Sequence, residues 1–488
     1  MNILNLDNLI VIAYLLVTLV VGIYKGRNIK TFKEYAIGDY KFSNSALVAT
    51  ITATWLSAGS AIGTHEKVYQ FGIVWVVIFL FGVVGIFLFQ LLAPRIYKFK
   101  GHLSVSEIIG TWYGPQARVI GGICVALHSI GMVAAQVGAI GYVCHEFFDL
   151  SPMIGILIGA GIVVIYSSFG GIKAVTYTDI IQFAFFMVAI PLIANIMLIK
   201  AGGYSGLLEK VPAEHLKIFP NYGSVSEYLF LFLFFAIPFF DSCLIQRVLM
   251  AKDKEQVVTS FKSTALVMIL FYVLCGLIAL SVRTINADLN PNNVLYYTIN
   301  NYLPMGIKGL GIAGLLAVVM STADSYLNTS SIAIIHDVVN PLRKSSLTSR
   351  QELLVTKFTA ILIGSGAILV AISFKSILQI IIKAWIIWAP IMVVPLYATF
   401  LGIKSNSNIF KLSAIAGIAT VVIWLIYDIE AKTGIDSMIP SLFANLIAFS
   451  SASLYYHKYA PKKLNKPIMP NQLPSYKEAR VAKLRLQS

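Results

Sequence analysis

Four polar side chains occupy one face of a stretch that is otherwise apolar enough to cross a bilayer. The stretch Gly314–Ser331 reads GLLAVVMSTADSYLNTSS, inside a run of about residues 308–339. In a helix, Ser321, Asp324, Ser325 and Asn328 fall at i, i+3, i+4 and i+7 and share a face, with Thr322 beside them. A polar stripe with a carboxylate at mid-membrane depth is costly and marks a functional pathway. Hydroxyl oxygens suit a hard cation, which takes oxygen ligands. Ser321 and Thr322 supply two, and carbonyls freed near Ala53 and Leu56 supply more. A ligand set without a carboxylate holds a monovalent ion loosely enough to release it. A single Ser or Thr hydroxyl could instead bond its own i−4 carbonyl, as is common in membrane helices. The full run of polar residues favours the ion.

Other polar residues in apolar surroundings are open to two readings. Asp179, in GGIKAVTYTDIIQFAFF, is either a second intramembrane acid or a helix start capped by Thr178 or Asp179. His128, eight residues before Gln136, either contacts a solute or bonds a neighbouring helix. Asp241, Gln246 and Arg247 close another apolar run. Lys383 lines a pathway or extends its ammonium group to the interface.

The elements that hold these residues follow from composition. Of the 488 residues, 58% are hydrophobic and 12% charged. A soluble protein carries about 25% charged residues, so an all-α polytopic membrane protein is expected. Thirteen spans of roughly 20 residues fall near 8–24, 45–64, 72–95, 119–143, 152–170, 178–200, 226–248, 261–282, 308–333, 353–373, 376–402, 411–427 and 439–456. The first lacks a basic n-region and a cleavage site, and is read as a retained helix. Cys124, Cys144, Cys243 and Cys275 are scattered and suggest neither a disulfide framework nor a zinc site. No nucleophile–base pair stands out, so an enzyme is not expected.

Two spans carry helix breakers. The second contains Ser57-Ala58-Gly59-Ser60-Ala61-Ile62-Gly63, and the seventh contains Pro238. Small residues and a kink could serve packing alone. Broken spans at matching places in two halves point instead to a transporter site. The five-span offset fits two inverted repeats, residues 43–200 and 226–402. A preceding helix and loop (1–42), a connection (201–225), peripheral helices (403–458) and a basic tail (459–488) complete the layout. The tail is read as a disordered end near anionic lipid. With the N-terminus outside, 26 of the 37 lysines and arginines lie in cytoplasmic connections or the tail and eight lie outside. This orients the chain with its C-terminus cytoplasmic.

Four stretches resemble the sodium:solute symporter family. They are Lys25-Gly26-Arg27 with Lys33-Glu34-Tyr35 and Gly38; Gly170-Gly171-Ile172 through Thr178-Asp179 and Gln182; Gln246 to Lys252; and Met320-Ser321-Thr322-Ala323-Asp324-Ser325. The resemblance covers roughly residues 8–460. It implies a LeuT-type core of two inverted five-helix repeats, alternating access, and Na+ as coupling ion with no other cofactor. It places the main sodium site at the carbonyls of Ala53, Leu56 and Val318 and the hydroxyls of Ser321 and Thr322. It places a second site, used by some members, at Asp179, Ser321, Asp324 and Ser325, where Asp324 replaces a serine. The Glu-Gln pair of sugar-transporting members is replaced by Gly59-Ser60, which argues against a sugar. Sialic acid-type members hold the carboxylate with an arginine in the fourth span, and here only His128 is found. Trp55 stands where proline-type members carry an acid. The expected solute is an amino acid or other small carboxylate, contacted by Trp55, Ser57, Ser60, His128 and Phe239. The expected location is the plasma membrane, a bacterial inner membrane, with lipid as surroundings and no nucleic acid partner. A solute sensor acting with a separate partner and a proton-coupled symporter are the alternatives.

Overall fold

The computed structural model describes residues 5–345, 347–373 and 377–461. The basic tail beyond residue 461 lies outside them. The described residues build helices joined by short turns and form no strand. The helices that matter below are α1 (Leu6–Gly26), α2 (Asn44–Trp55), α3 (Ala58–Phe71), α4 (Ile73–Ile96), α5 (Pro115–Phe148), α6 (Pro152–Lys200), α7 (Val225–Phe235), α8 (Ser242–Leu249), α9 (Lys254–Ile285), α10 (Ile307–Ile332), α11 (Ser349–Ser373), α12 (Ile377–Leu401), α13 (Ser407–Ile426) and α14 (Met438–Tyr459).

Ten helices among the described residues are long and apolar enough to span, or eleven when α2 and α3 count as one bent span. The difference from thirteen has two physical causes. α6 is 49 residues long, about 74 Å at about 1.5 Å per residue, and covers two expected spans. Its limbs meet at Gly171, whose φ of 49° lies where a side chain is strained. A Cβ there would also lie 2.6 Å from the Tyr35 carbonyl oxygen. The seventh span is two short pieces, α7 and α8, separated by the non-helical residues around Pro238, and neither is long enough alone. The connections at 201–225 and 284–307 do carry short helices, Gly203–Lys210 and Val294–Tyr302.

α10 is the central strut. Every residue from Gly311 to Ile332 is buried, and the helix packs chiefly against α6 and α5. Its polar stripe therefore faces protein, where hydroxyl and amide partners are available. Its far end continues through a π-helical segment, Ala333–Val339. There Arg118 Nε donates to Asp337 Oδ1 at 3.0 Å and His336 Nδ1 lies 2.7 Å from Glu352 Oε1. This clasp ties α10 to the starts of α5 and α11.

The near end has a cap from elsewhere in the chain. Gly306 precedes α10 and has no side chain to satisfy the helix's first N–H groups. Asp7, in the first turn of α1, accepts from the N–H groups of Gly306 at 2.7 Å and Gly309 at 2.8 Å. Its charge also suits the positive end of the helix. Asp7→Ala should therefore cost about 1–2 kcal/mol and lower the melting midpoint of the purified protein. An unchanged midpoint would show that the cap carries no stability.

Candidate ion and solute site

The break between α2 and α3 falls at Leu56 and Ser57, both in extended conformation, and the two helices meet at 59°. The small residues from Ala58 to Gly63 are helical, so the break lies at the edge of the small-residue cluster. Two side chains stabilise it. Ser57 Oγ accepts from the N–H of Ser60 at 3.4 Å, and Gln136 Oε1, on α5, accepts from the N–H of Ala58 at 2.9 Å.

A helix end leaves its last carbonyls unpaired. Here α10 answers them. Ser321 Oγ donates towards the Ala53 carbonyl at 2.8 Å and the Val318 carbonyl at 3.0 Å. Thr322 Oγ1 lies 2.9 Å from the Leu56 carbonyl and 3.4 Å from those of Thr54 and Val318. The five oxygens expected of the main ion site are thus linked through the two hydroxyls, with no carboxylate among them. Three are carbonyls and two are hydroxyls.

The four residues of the expected second site divide differently. Ser321 belongs with the first group. Asp324 Oδ2 accepts from Tyr166 Oη at 2.7 Å and from Thr178 Oγ1 at 3.3 Å, and its Oδ1 accepts from Ser325 Oγ at 3.4 Å. Asp179 is buried on the second limb of α6, eight residues past the Gly171 kink, so it is no helix cap. Its Oδ2 accepts from the Thr50 hydroxyl and lies 3.6 Å from Arg247. Its Oδ1 is buried without a hydrogen-bond partner.

Arg247, on α8, is the centre of this second group. It is fully buried. It donates to Thr50 Oγ1 at 3.3 Å, Thr54 Oγ1 at 2.9 Å, Ser325 Oγ at 2.6 Å and Gln246 Oε1 at 2.9 Å. Gln246 in turn donates to Asn328 Oδ1 at 2.9 Å and to the Ala36 carbonyl at 2.7 Å. The sequence marked Arg247 as a charge closing a span and as part of a family-like stretch, with no ligand or pairing role. Its partners lie 78 and 193 residues away, beyond the reach of any local pattern.

A cavity of about 840 Å³ adjoins the first group. Trp55, Ser57, Ser60 and Thr322 line it, as do Asp241, Tyr326 and Trp385. Phe239 lines a smaller apolar recess that shares Trp55 and Trp385 with it. His128 lines neither. It is fully buried behind Asp241, with Nδ1 3.1 Å from the Ala384 carbonyl and Nε2 3.4 Å from Asp241 Oδ2. Lys383 is exposed on α12 and does not line the cavity.

The family model for the sodium:solute symporter family matches residues 35–408. The chain belongs to that family. It is a sodium-coupled solute symporter and not an enzyme. The sodium/sialic acid symporter of Aliivibrio fischeri is 24% identical over 92% of this chain and 94% of its own length. The sodium/pantothenate symporter of Escherichia coli is 23% identical over 90% and 94%. A solved Na+-coupled sialic acid symporter, substrate-bound and outward-open, superposes with a TM-score of 0.79 at 21% identity, over 92% of this chain and 98% of that one. Mhp1, a nucleobase-cation-symport-1 transporter, gives 0.55 at 13% identity, over 92% and 98%. The fold is thus the LeuT type.

Removing Arg247 from this family member leaves two buried carboxylates without a cation. Arg247→Met should cost about 3–5 kcal/mol, read as lost folded yield or a lowered melting midpoint. Adding Asp179→Asn should recover part of it. A double variant no better than the single one would show that the two residues do not share a charge balance.

Proposed function

We propose that the symporter binds Na+ among the carbonyls of Ala53, Leu56 and Val318 and the hydroxyls of Ser321 and Thr322. The carrying observation is the position of Thr322. Its hydroxyl lies beside the α2 carbonyls at the break, and the residue also lines the cavity. An ion there holds the α2–α3 break against α10 and so fixes one wall of the solute site. Thr54 and Trp55 belong to the same wall. Sodium binding and solute binding then favour the same arrangement, which is how an ion gradient is coupled to solute movement.

The second group supports a further cation beside Arg247. Asp179 and Asp324 place two buried carboxyl groups around one guanidinium, and Asp179 Oδ1 has no hydrogen-bond partner. The layout supports two inverted repeats, residues 43–200 and 226–402, each opening on its broken span. Residues 1–42, 201–225, 403–458 and 459–488 flank or connect them. The charge distribution supports an outside N-terminus in a bacterial plasma membrane. The cavity mouth, at Lys67 and Asn290, then opens outward. Its solute is a small organic molecule, an amino acid or other small carboxylate rather than a sugar.

Uptake into proteoliposomes tests the ion site. Thr322→Ala and Ser321→Ala should each raise the sodium concentration for half-maximal uptake by about tenfold, a loss of about 1.4 kcal/mol. Unaltered sodium dependence in both would remove these ligands from the account. Asp179→Asn should lower the Hill slope for sodium from about two towards one, as expected for two coupled ions. A slope of one in the unaltered protein contradicts the second cation.

A further inference from the structure

The cavity is asymmetric in charge. Among its described lining residues, Glu66, Lys67 and Asp241 are the charged ones. Lys67 and Glu66 neutralise each other near the mouth, at 3.0 Å. Lys67 also lies 5.8 Å from the ring centres of Phe71 and Trp75. That leaves Asp241 deeper in the cavity, only 4% exposed, with the His128 imidazole as an ion-pair partner at 3.4 Å when it is protonated.

The carboxylate is held in place. Oδ1 accepts from the N–H of Cys243 at 2.7 Å, capping α8. Oδ2 accepts from Tyr326 Oη at 2.9 Å and contacts His128 Nε2 at 3.4 Å. A carboxylate has about four acceptor positions, so these contacts leave capacity for one more donor. His128 has no exposed surface and braces the group from behind. The indole rings of Trp55 and Trp385 line the same cavity, and Trp385 packs against the His128 ring at 4.9 Å. Aromatic faces attract a cation that has shed its water. An anionic group here would meet the Asp241 carboxylate, while His128, its ion-pair partner when protonated, lies behind that carboxylate and does not line the cavity.

Resting on the reading of this cavity as the solute site, we infer that the transported solute carries an ammonium group, which docks on the Asp241 carboxylate between aromatic walls. The group is a protonated amine or a quaternary ammonium. An amino acid fits through its amino group, which narrows the proposed small organic solutes to those bearing an amine and sets aside a carboxylate without one. The rest of the molecule lies against Trp55, Trp385 and the apolar recess.

The test is ligand-induced thermal stabilisation of the full-length purified protein in saturating NaCl. The probes are 2-phenylethylamine, choline, L-proline, L-phenylalanine, 2-phenylethanol, 3-phenylpropionate and D-glucose. The strongest stabiliser should bear an ammonium, and the first two against the two amino acids separate a simple ammonium from a zwitterion. Asp241→Asn keeps the α8 cap, since Asn also caps helices, and should weaken that ligand by at least about tenfold (about 1.4 kcal/mol). Asp241→Glu should retain more of the affinity. The stabilisation by sodium alone should persist in Asp241→Asn and fall in Thr322→Ala. A best ligand without an ammonium, or an affinity within about twofold in Asp241→Asn, overturns the inference. So does loss of the sodium-only effect in Asp241→Asn, which would make Asp241 an ion ligand. Persistence of that effect in Thr322→Ala would overturn the sodium site and leave the ammonium site standing.

Discussion

A helix that stops inside a membrane leaves carbonyls that neither water nor lipid can satisfy. In this symporter, α2 stops at Trp55, and the carbonyls around that end need oxygen-seeking partners. The rest of the site is arranged to supply them. From Gly311 to Ile332 α10 is enclosed by protein, so it can carry hydroxyls at that depth without exposing them to lipid. Ser321 and Thr322 meet the freed carbonyls, and Gln136 and Ser57 secure the N–H groups on the other side of the gap. The result is a cluster of neutral oxygens that is complete only when α2 and α10 are in register.

The same helix carries the charged group. Asp324 is bonded by Tyr166 and Thr178 from α6, and Ser325 by Arg247 from α8. Arg247 bonds Thr54, which neighbours the proposed ion site, and it faces Asp179. Four helices thus share one buried charge balance next to the ion ligands. A shift of α8 or α2 would break several charge-assisted bonds together, each stronger than a neutral one. Such a network favours discrete arrangements over gradual deformation.

Much of this was legible in the chain. The spacing of Ser321, Asp324, Ser325 and Asn328 on one face of an apolar run identified α10 and its polar stripe. The cluster at Ser57 and the proline at 238 marked the broken spans, and family motifs grouped the five oxygens proposed as ion ligands. Other features were hidden for a physical reason. Arg247 bonds Thr54 and Ser325 across long separations, and Asp241 meets Tyr326 85 residues away. Such pairs are set by packing and leave no periodic trace. His128 looked equally suited to solute or helix contact, and only the fold places it behind Asp241. The continuity of α6 was hidden because Gly171 turns the chain while the helix persists on both sides.

On the proposed coupling, sodium binds where the α2 break meets α10 and locks the two together. Hydrogen–deuterium exchange on the solute-free protein, in NaCl against equal KCl, tests it most directly. Sodium should slow exchange in peptides covering residues 53–60 and 318–325, with smaller changes in α13 and α14. Protection absent from both segments, or confined to other helices, would contradict the account.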